Sequence, residues 1–459
     1  SKRFPAVNAS YLFIKIWRML RPYPCLLAGT ALFFSLAACS APVPSRAPTT
    51  DSAPVTLTVW HTQTGTAGAL LNALANDFHQ AYPSITVRAE AKTSEGDLLR
   101  QGIAGLALNQ LPDVIIANNR TIGEFARKDA LVALEPFLDD ATIGLRAEER
   151  SDFLPGLLDS GRFPDLKNKL FAFPFDESAV VLYYNADLLL AAKVDTPPRT
   201  WDQFSAAARA TTRGSTRGWA TLPDAAVFSA FLFSRGSGVL NDAQTQVQFN
   251  DDAGTKSLQM IAALSKGGSA YLADRADAAR ADFAQSKTAL LFGTTDDLAA
   301  VSDAVARANA NFQWGVSSVP QNDPSHPLTA IFGANIAIFK PVSGGANGAA
   351  AERSRAAWLF ARWLAEPEQT ARWSRPTLSI PLRASALPLL AANAPNPVFQ
   401  RLRDGFGGAL PSGRALPAVK DAAQIDAAVV ELWVAGANGT DTTVALSRAV
   451  TRVSRILGP

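Results

Sequence analysis

The chain has 459 residues, 48% of them hydrophobic, which is apolar material for two or three buried cores. Its formal charge is +3, but five of the 43 Lys and Arg residues fall within the first 38 positions, which hold no Asp or Glu; the remainder carries 38 bases against 40 acids, about −2. No basic patch interleaves with aromatics, which argues against nucleic-acid binding; two cysteines (Cys25, Cys39) and three scattered histidines (His61, His79, His326) argue against body disulfides, zinc sites or any metal, and no cofactor is expected.

Arg18 and Arg21 precede the apolar run 25–38 (CLLAGTALFFSLAA), which ends at Cys39. A basic stretch, a short apolar stretch and small residues before a cut predict a secretory signal over 1–38. The run is too short to span a bilayer as a helix. Leu36-Ala37-Ala38-Cys39 resembles the bacterial lipobox, which predicts a lipidated Cys39 carrying acyl chains such as palmitate. Tyr11–Trp17 adds a second apolar cluster upstream, and Met19 is the candidate start that would give a compact signal. Residues 40–54 (SAPVPSRAPTTDSAP) are Pro-, Ser- and Thr-rich, a composition that buries no core and predicts a tether from the membrane.

The body then alternates. Residues 55–60 (VTLTVW) predict a strand, 70–82 an amphipathic helix stopped by Pro83, 85–89 (ITVRA) a strand, 98–108 a helix and 113–117 (DVIIA) a buried strand. Strand–helix–strand with short loops predicts a parallel sheet with helices on both faces. Ligands in such sheets bind beyond the carboxyl ends of strands, which selects His61, Gln63, Glu95, Asn118 and Asn119. Further along, 172–176 (AFPFD) and 179–184 (AVVLYY) predict extended crossings before a helix from Ala186. Thr200 or Asp202 caps a helix carrying Trp201 and Phe204. Residues 333–340 (GANIAIFK) predict a strand, and 355–365 a helix with Trp358 and Trp363 towards a core.

These fragments taken in order resemble the extracellular solute-binding protein family 1, which includes maltose- and glycerol-phosphate-binding proteins. The resemblance rests on LTVWH at 57–61, YPSITV at 82–87, LPDV at 111–114, LYYNADL at 182–188, PPRTWDQF at 197–204, Trp363-Leu364 through Gln369, and IPLRAS at 380–385. It implies an α/β, two-lobed periplasmic-binding-protein fold with discontinuous lobes, a central ligand cleft and three hinge crossings near 173–178, 330–334 and 385–390. Lobe one would hold 55–172 plus 332–383, lobe two 177–328 plus 387–459. It also implies a monomeric, lipid-anchored protein on the outer face of the cell membrane. Such a protein captures a sugar, polyol or glycerol-phosphate-type solute by lobe closure and delivers it to ABC permease transmembrane subunits. One departure concerns the turn after 289–293 (ALLFG), where Thr294-Thr295-Asp296 replaces the family's Gly-Ser-Trp-like sequence and removes an aromatic platform.

Planar polar side chains and aromatic faces bind sugars. The candidate contacts are therefore His61, Gln63, Glu95, Asn118, Asn119, Asp176 and Glu177 at the first crossing, Trp219 after a Gly-rich turn, Gly333 and Asn335 at the second crossing, and Arg383. Arg383 with Trp60-His61 keeps the glycerol-phosphate branch open. Against each stands a plain structural role: loop capping for His61 and Gln63, hinge bonding for the acids, core packing for Trp219, a salt bridge for Arg383. An enzyme is not expected. The pairs Asp139-Asp140 and Asp296-Asp297 are adjacent residues that would point apart, and no G-x-S-x-G, H-E-x-x-H or P-loop occurs. A sensor lipoprotein is the other reading that the residues leave open.

Overall fold

The computed structural model describes residues 54–341, 348–392 and 412–458. The signal, Cys39 and the tether lie outside these, as does much of the stretch expected to follow the third crossing. Among the described residues no helix is long and apolar enough to cross a membrane.

The amino-terminal half follows the predicted alternation through β1 (Val55–His61), α1 (Gly65–Ala81), β2 (Ile85–Ala91), α2 (Glu95–Leu108) and β3 (Val114–Ala117), and a further helix that was not expected, α3 (Asn119–Arg127), follows. β1 pairs in parallel with both β2 and β3. α1 and α2 begin earlier than hydrophobic spacing suggests, α2 because a polar cap extends it. Ser94 caps α2 by accepting from the Asp97 N–H at 3.1 Å, and Asn118 caps α3 by accepting from Thr121 N at 2.9 Å.

The two expected crossings at 172–184 are one strand, β4 (Phe173–Asn185), thirteen residues long. Then come α4 (Trp201–Thr211), β5 (Arg217–Thr221), α5 (Ala225–Phe233), α6 (Asp252–Lys266), β6 (Ala270–Leu272), β7 (Thr288–Thr294), α7 (Leu298–Arg307), β8 (Trp314–Ser318) and β9 (Leu328–Ile338). Thr200, not Asp202, caps α4: its Oγ accepts from Gln203 N, and the Gln203 side chain accepts from Thr200 N, closing a capping box. The chain ends in α8 (Ala349–Leu364), α9 (Pro367–Thr377), the short strand β10 (Ser412–Ala415), α10 (Ala422–Ala437) and α11 (Thr442–Leu457).

Among the described residues the main sheet runs β2-β1-β3-β9-β4-β7-β5-β6, with β8 on β4 and β10 on β9. Alternate residues feed opposite cores. On the first half, Leu57, Val59, Ile336 and Ile338 pack with α1 and α8, while Ile115, Ala117, Ala337 and Phe339 pack with α2 and α3. On the second half, Leu290 and Phe292 pack with Trp219, α5, α6 and α10, while Leu291, Val181 and Tyr183 pack with α7. This is the two-lobed α/β fold. β4 and β9 run antiparallel through its middle and thread both halves.

Candidate functional site

Between the two halves lies a cleft of about 410 Å³. One wall comes from the carboxyl end of β3 and the starts of α2 and α3: Glu95, Asn118, Asn119 and Arg120. The facing wall comes from the starts of α5 and α10, with Asp224 and Asp426, and the floor is β9 at Phe332–Ala334. The floor needs glycine for a steric reason. A Cβ on Gly333 would fall 2.0 Å from the carbonyl oxygen of Asp176, so only glycine lets β9 approach β4 this closely.

Glu95 is held rather than free. It accepts from Asn118 N at 3.3 Å and from Thr121 Oγ at 2.8 Å, and partial burial pushes its carboxyl above the usual range. Asn119 donates from Nδ2 to Ser160 O at 2.7 Å, which leaves its buried Oδ1 without a donor. Across the cleft Arg120 forms an ion pair with Asp426. Burial raises the Asp426 carboxyl against the pull of Arg120. Asp224 caps α5 by accepting from Val227 N at 2.9 Å.

Beside Gly333 and Ala334, whose partners across the strand pair are Glu177 and Asp176, the hinge gathers carboxyl groups. Asp176 accepts from Gln63 Nε2 at 2.8 Å, from Trp373 Nε1 at 3.0 Å and from Ser379 Oγ. Glu177 is 1% exposed, and desolvation with the charge of Asp176 pushes it up to about 8. Asp296 keeps an exposed face, yet the walls around it strip enough water to push it up to about 7, with Asp176 adding repulsion. Asn335, 1% exposed, bonds to the Glu177 side chain while its Oδ1 lacks a donor.

Three expected contacts lie elsewhere. Trp219 is 0% exposed in the second core, wedged among Phe204, Phe231, Phe292 and Trp433, so it offers no face to a ligand. His61 is 2% exposed, with Nδ1 accepting from Gln63 N at 3.1 Å; it shapes the loop, and burial lowers its pKa. Arg383 is 3% exposed, donating to the carbonyls of Ala365 and Glu149, facing Asp152 at 3.9 Å and stacking over Phe153. It is structural. Gln63, Glu95, Asn118, Asn119, Asp176, Glu177, Gly333 and Asn335 are brought to the cleft or the hinge beside it. Arg120, Asp224 and Asp426 were missed. Arg120 could have been inferred from its place beside Asn118-Asn119. Asp296 was weighed only as half of an acid pair.

A profile of the family described as "Bacterial extracellular solute-binding protein" matches residues 62–371, more than half of the chain. The sn-glycerol-3-phosphate-binding periplasmic protein UgpB of Pectobacterium atrosepticum is 24% identical over 343 residues, 72% of this chain and 74% of that protein. Among solved structures, the cyclic alpha-maltosyl-1,6-maltose binding protein from Arthrobacter globiformis is similar with a TM-score of 0.71 at 20% identity, over 88% of this chain and 99% of that one. UgpB from Mycobacterium tuberculosis, solved with glycerophosphocholine, gives a TM-score of 0.65 at 20% identity, over 88% and 100%. The chain belongs to the bacterial extracellular solute-binding proteins.

Proposed function

We propose that this protein captures a carbohydrate or sugar-like solute in the cleft and, by closing its lobes, presents it to the transmembrane subunits of an ABC importer. The observation that carries the sugar reading is the lining of the cleft. Among its described residues stand three carboxyl groups (Glu95, Asp224, Asp426) and two asparagines, and its one cation, Arg120, is spent on Asp426. Polyol hydroxyls donate hydrogen bonds to such groups, whereas a phosphate would meet net repulsion. The lobes are taken as 55–172 plus 332–383 and 177–328 plus 387–459, hinged where β4 and β9 cross. The protein binds without turnover and sits on the outer face of the membrane, held by lipid on Cys39; the motif Leu36-Ala37-Ala38-Cys39 supports this.

The test is thermal unfolding with mono- and oligosaccharides, polyols and glycerol phosphodiesters, followed by small-angle scattering with any compound that shifts the midpoint. A cognate solute at 100 times its dissociation constant adds about 2.7 kcal/mol to the folded state. It should also shrink the radius of gyration. A panel with no shift and no compaction, or a compound found cleaved, defeats the reading.

A further inference from the structure

The cleft has an apolar floor between polar walls, and this narrows the solute, given the solute-binding reading above. Phe332 is the one aromatic among the described residues that line it, and Leu416 and Pro417 continue the apolar surface. Side chains alternate along β9, so Ile331 enters the first core while Phe332 packs against the second. That core backs the ring without covering it: Phe332 is half-buried and lines the cleft. Its place is fixed on either side, by Ile331 in the first core and by Gly333 pressed against β4. Other aromatics near the hinge are committed. Trp373, 2% exposed, packs on Phe175 and donates to Asp176, and the turn 294–296 holds Thr-Thr-Asp. The hydrogen-bonding side chains stand to the sides, Glu95, Asn118 and Asn119 on one wall and Asp224 and Asp426 on the other.

Such a site suits a molecule divided in the same way. A pyranose with equatorial hydroxyls carries C–H bonds on its faces and hydroxyls around its rim. One face can lie on an aromatic ring while the rim donates to acceptors beside it. An open-chain polyol has no flat apolar face, and a phosphodiester brings a charge that the carboxyl-rich walls repel. We propose that the solute is a pyranose sugar or a glycoside of one, with Phe332 as the platform under its ring. This contact sets a preference for rings over open chains.

Matched pairs test this with the purified protein: glucose and sorbitol, galactose and galactitol, mannose and mannitol, xylose and xylitol. Any oligosaccharide that binds is carried on to the variants. Binding is read by calorimetric titration and thermal shift. Each sugar that binds should do so about threefold or more tighter than its alditol. Phe332→Leu, which keeps apolar volume against the core, should weaken ring compounds by roughly two- to tenfold, the scale of one aromatic contact, and bring sugar and alditol together. Phe332→Tyr, which keeps the ring, should retain the wild-type preference. Midpoints without solute report folding of the variants separately, and if Phe332→Leu does not fold the wild-type pairs still decide. Alditols that bind as well as their sugars overturn the proposal, as does a folded Phe332→Leu protein with wild-type affinity and preference. If only an open-chain polyol or a glycerol phosphodiester binds, this proposal fails and the binding function stands. If nothing in the wider panel binds or compacts the protein, the binding function itself fails.

Discussion

Glu177 couples the hinge to pH. Burial and the facing charges of Asp176 and Asp296 raise its carboxyl from 4.5 to about 8, with the Asn335 bond opposing. Desolvation, with the charges of Asp176 and Asp297 added, raises Asp296 from 3.8 to about 7, and Arg280 offsets Asp297 through a 3.0 Å ion pair. Both folded values lie above the unfolded ones. The folded state therefore keeps protons that the unfolded chain has released, and the stability from these groups is complete below about pH 4 and lost as pH rises through about 7 to 8. Asp140 and Asp323, both lowered to about 2, act in the opposite sense, but only in more acidic solution, and buried His61, whose pKa is lowered, offsets part of the effect as pH rises towards 6.5. The thermal midpoint of the unliganded protein should thus fall between pH 5 and pH 8, and Glu177→Gln should flatten that fall. A wild-type midpoint that holds or rises over this range would contradict the buried, protonated hinge acid.

The same scale explains what could be read from the chain. Glu95, Asn118 and Asn119 were legible because position at the carboxyl end of a parallel strand is a topological rule, independent of side-chain packing. Trp219 was misread because Gly218 suggested a turn. In the structure a Cβ there would fall 1.9 Å from Ala208 O, so the glycine serves close packing of α4 on β5 and its neighbour goes inward. His61 and Arg383 are polar residues satisfied by backbone groups close in space, which composition cannot reveal. Asp224 and Asp426 reach the cleft only through tertiary folding, since neither carries a local signal.

At the level of elements, the cleft is bounded by helix starts, and one ion pair ties two of them. α3 is anchored in the first half of the fold by Ile122 and Phe125, α10 in the second by Ile425, Val429 and Trp433. Arg120 near the start of α3 and Asp426 near the start of α10 therefore bridge the two halves over the cleft. Both side chains are about one-third exposed, so the pair contributes only about 0.2–1 kcal/mol. That is enough to bias a closure equilibrium without locking it. Arg120→Ala and Asp426→Asn should each weaken solute binding by roughly two- to fivefold, the range that free energy allows. The double variant should cost no more than either single one, and the charge swap Arg120→Asp with Asp426→Arg should recover part of the loss. Additive losses in the double variant would mean that each residue contacts the solute separately and that no latch exists.

At the scale of the whole molecule, the question is whether two lobes unfold as two units. Separate cores argue for two transitions, and multi-lobed chains often show them. Here the connection is a continuous sheet rather than a linker. β4 contributes Phe173 and Phe175 to the first core and Val180 and Leu182 to the second, and β9 contributes Ile336 and Ile338 to the first while Ala330 packs in the second. Thr329, 0% exposed, donates its hydroxyl to Val180 O at 2.8 Å and locks the two strands where they leave the hinge. Glu177 is buried where the two halves meet, so melting either half would expose it and release its proton. The described residues hold together as one compact unit. Calorimetry should therefore show a single endotherm whose van't Hoff enthalpy matches the calorimetric one. A cognate solute should move that endotherm upward without splitting it. Two resolved endotherms, only one of them ligand-sensitive, would place the solute within one half, and closure between the halves would lose its energetic basis.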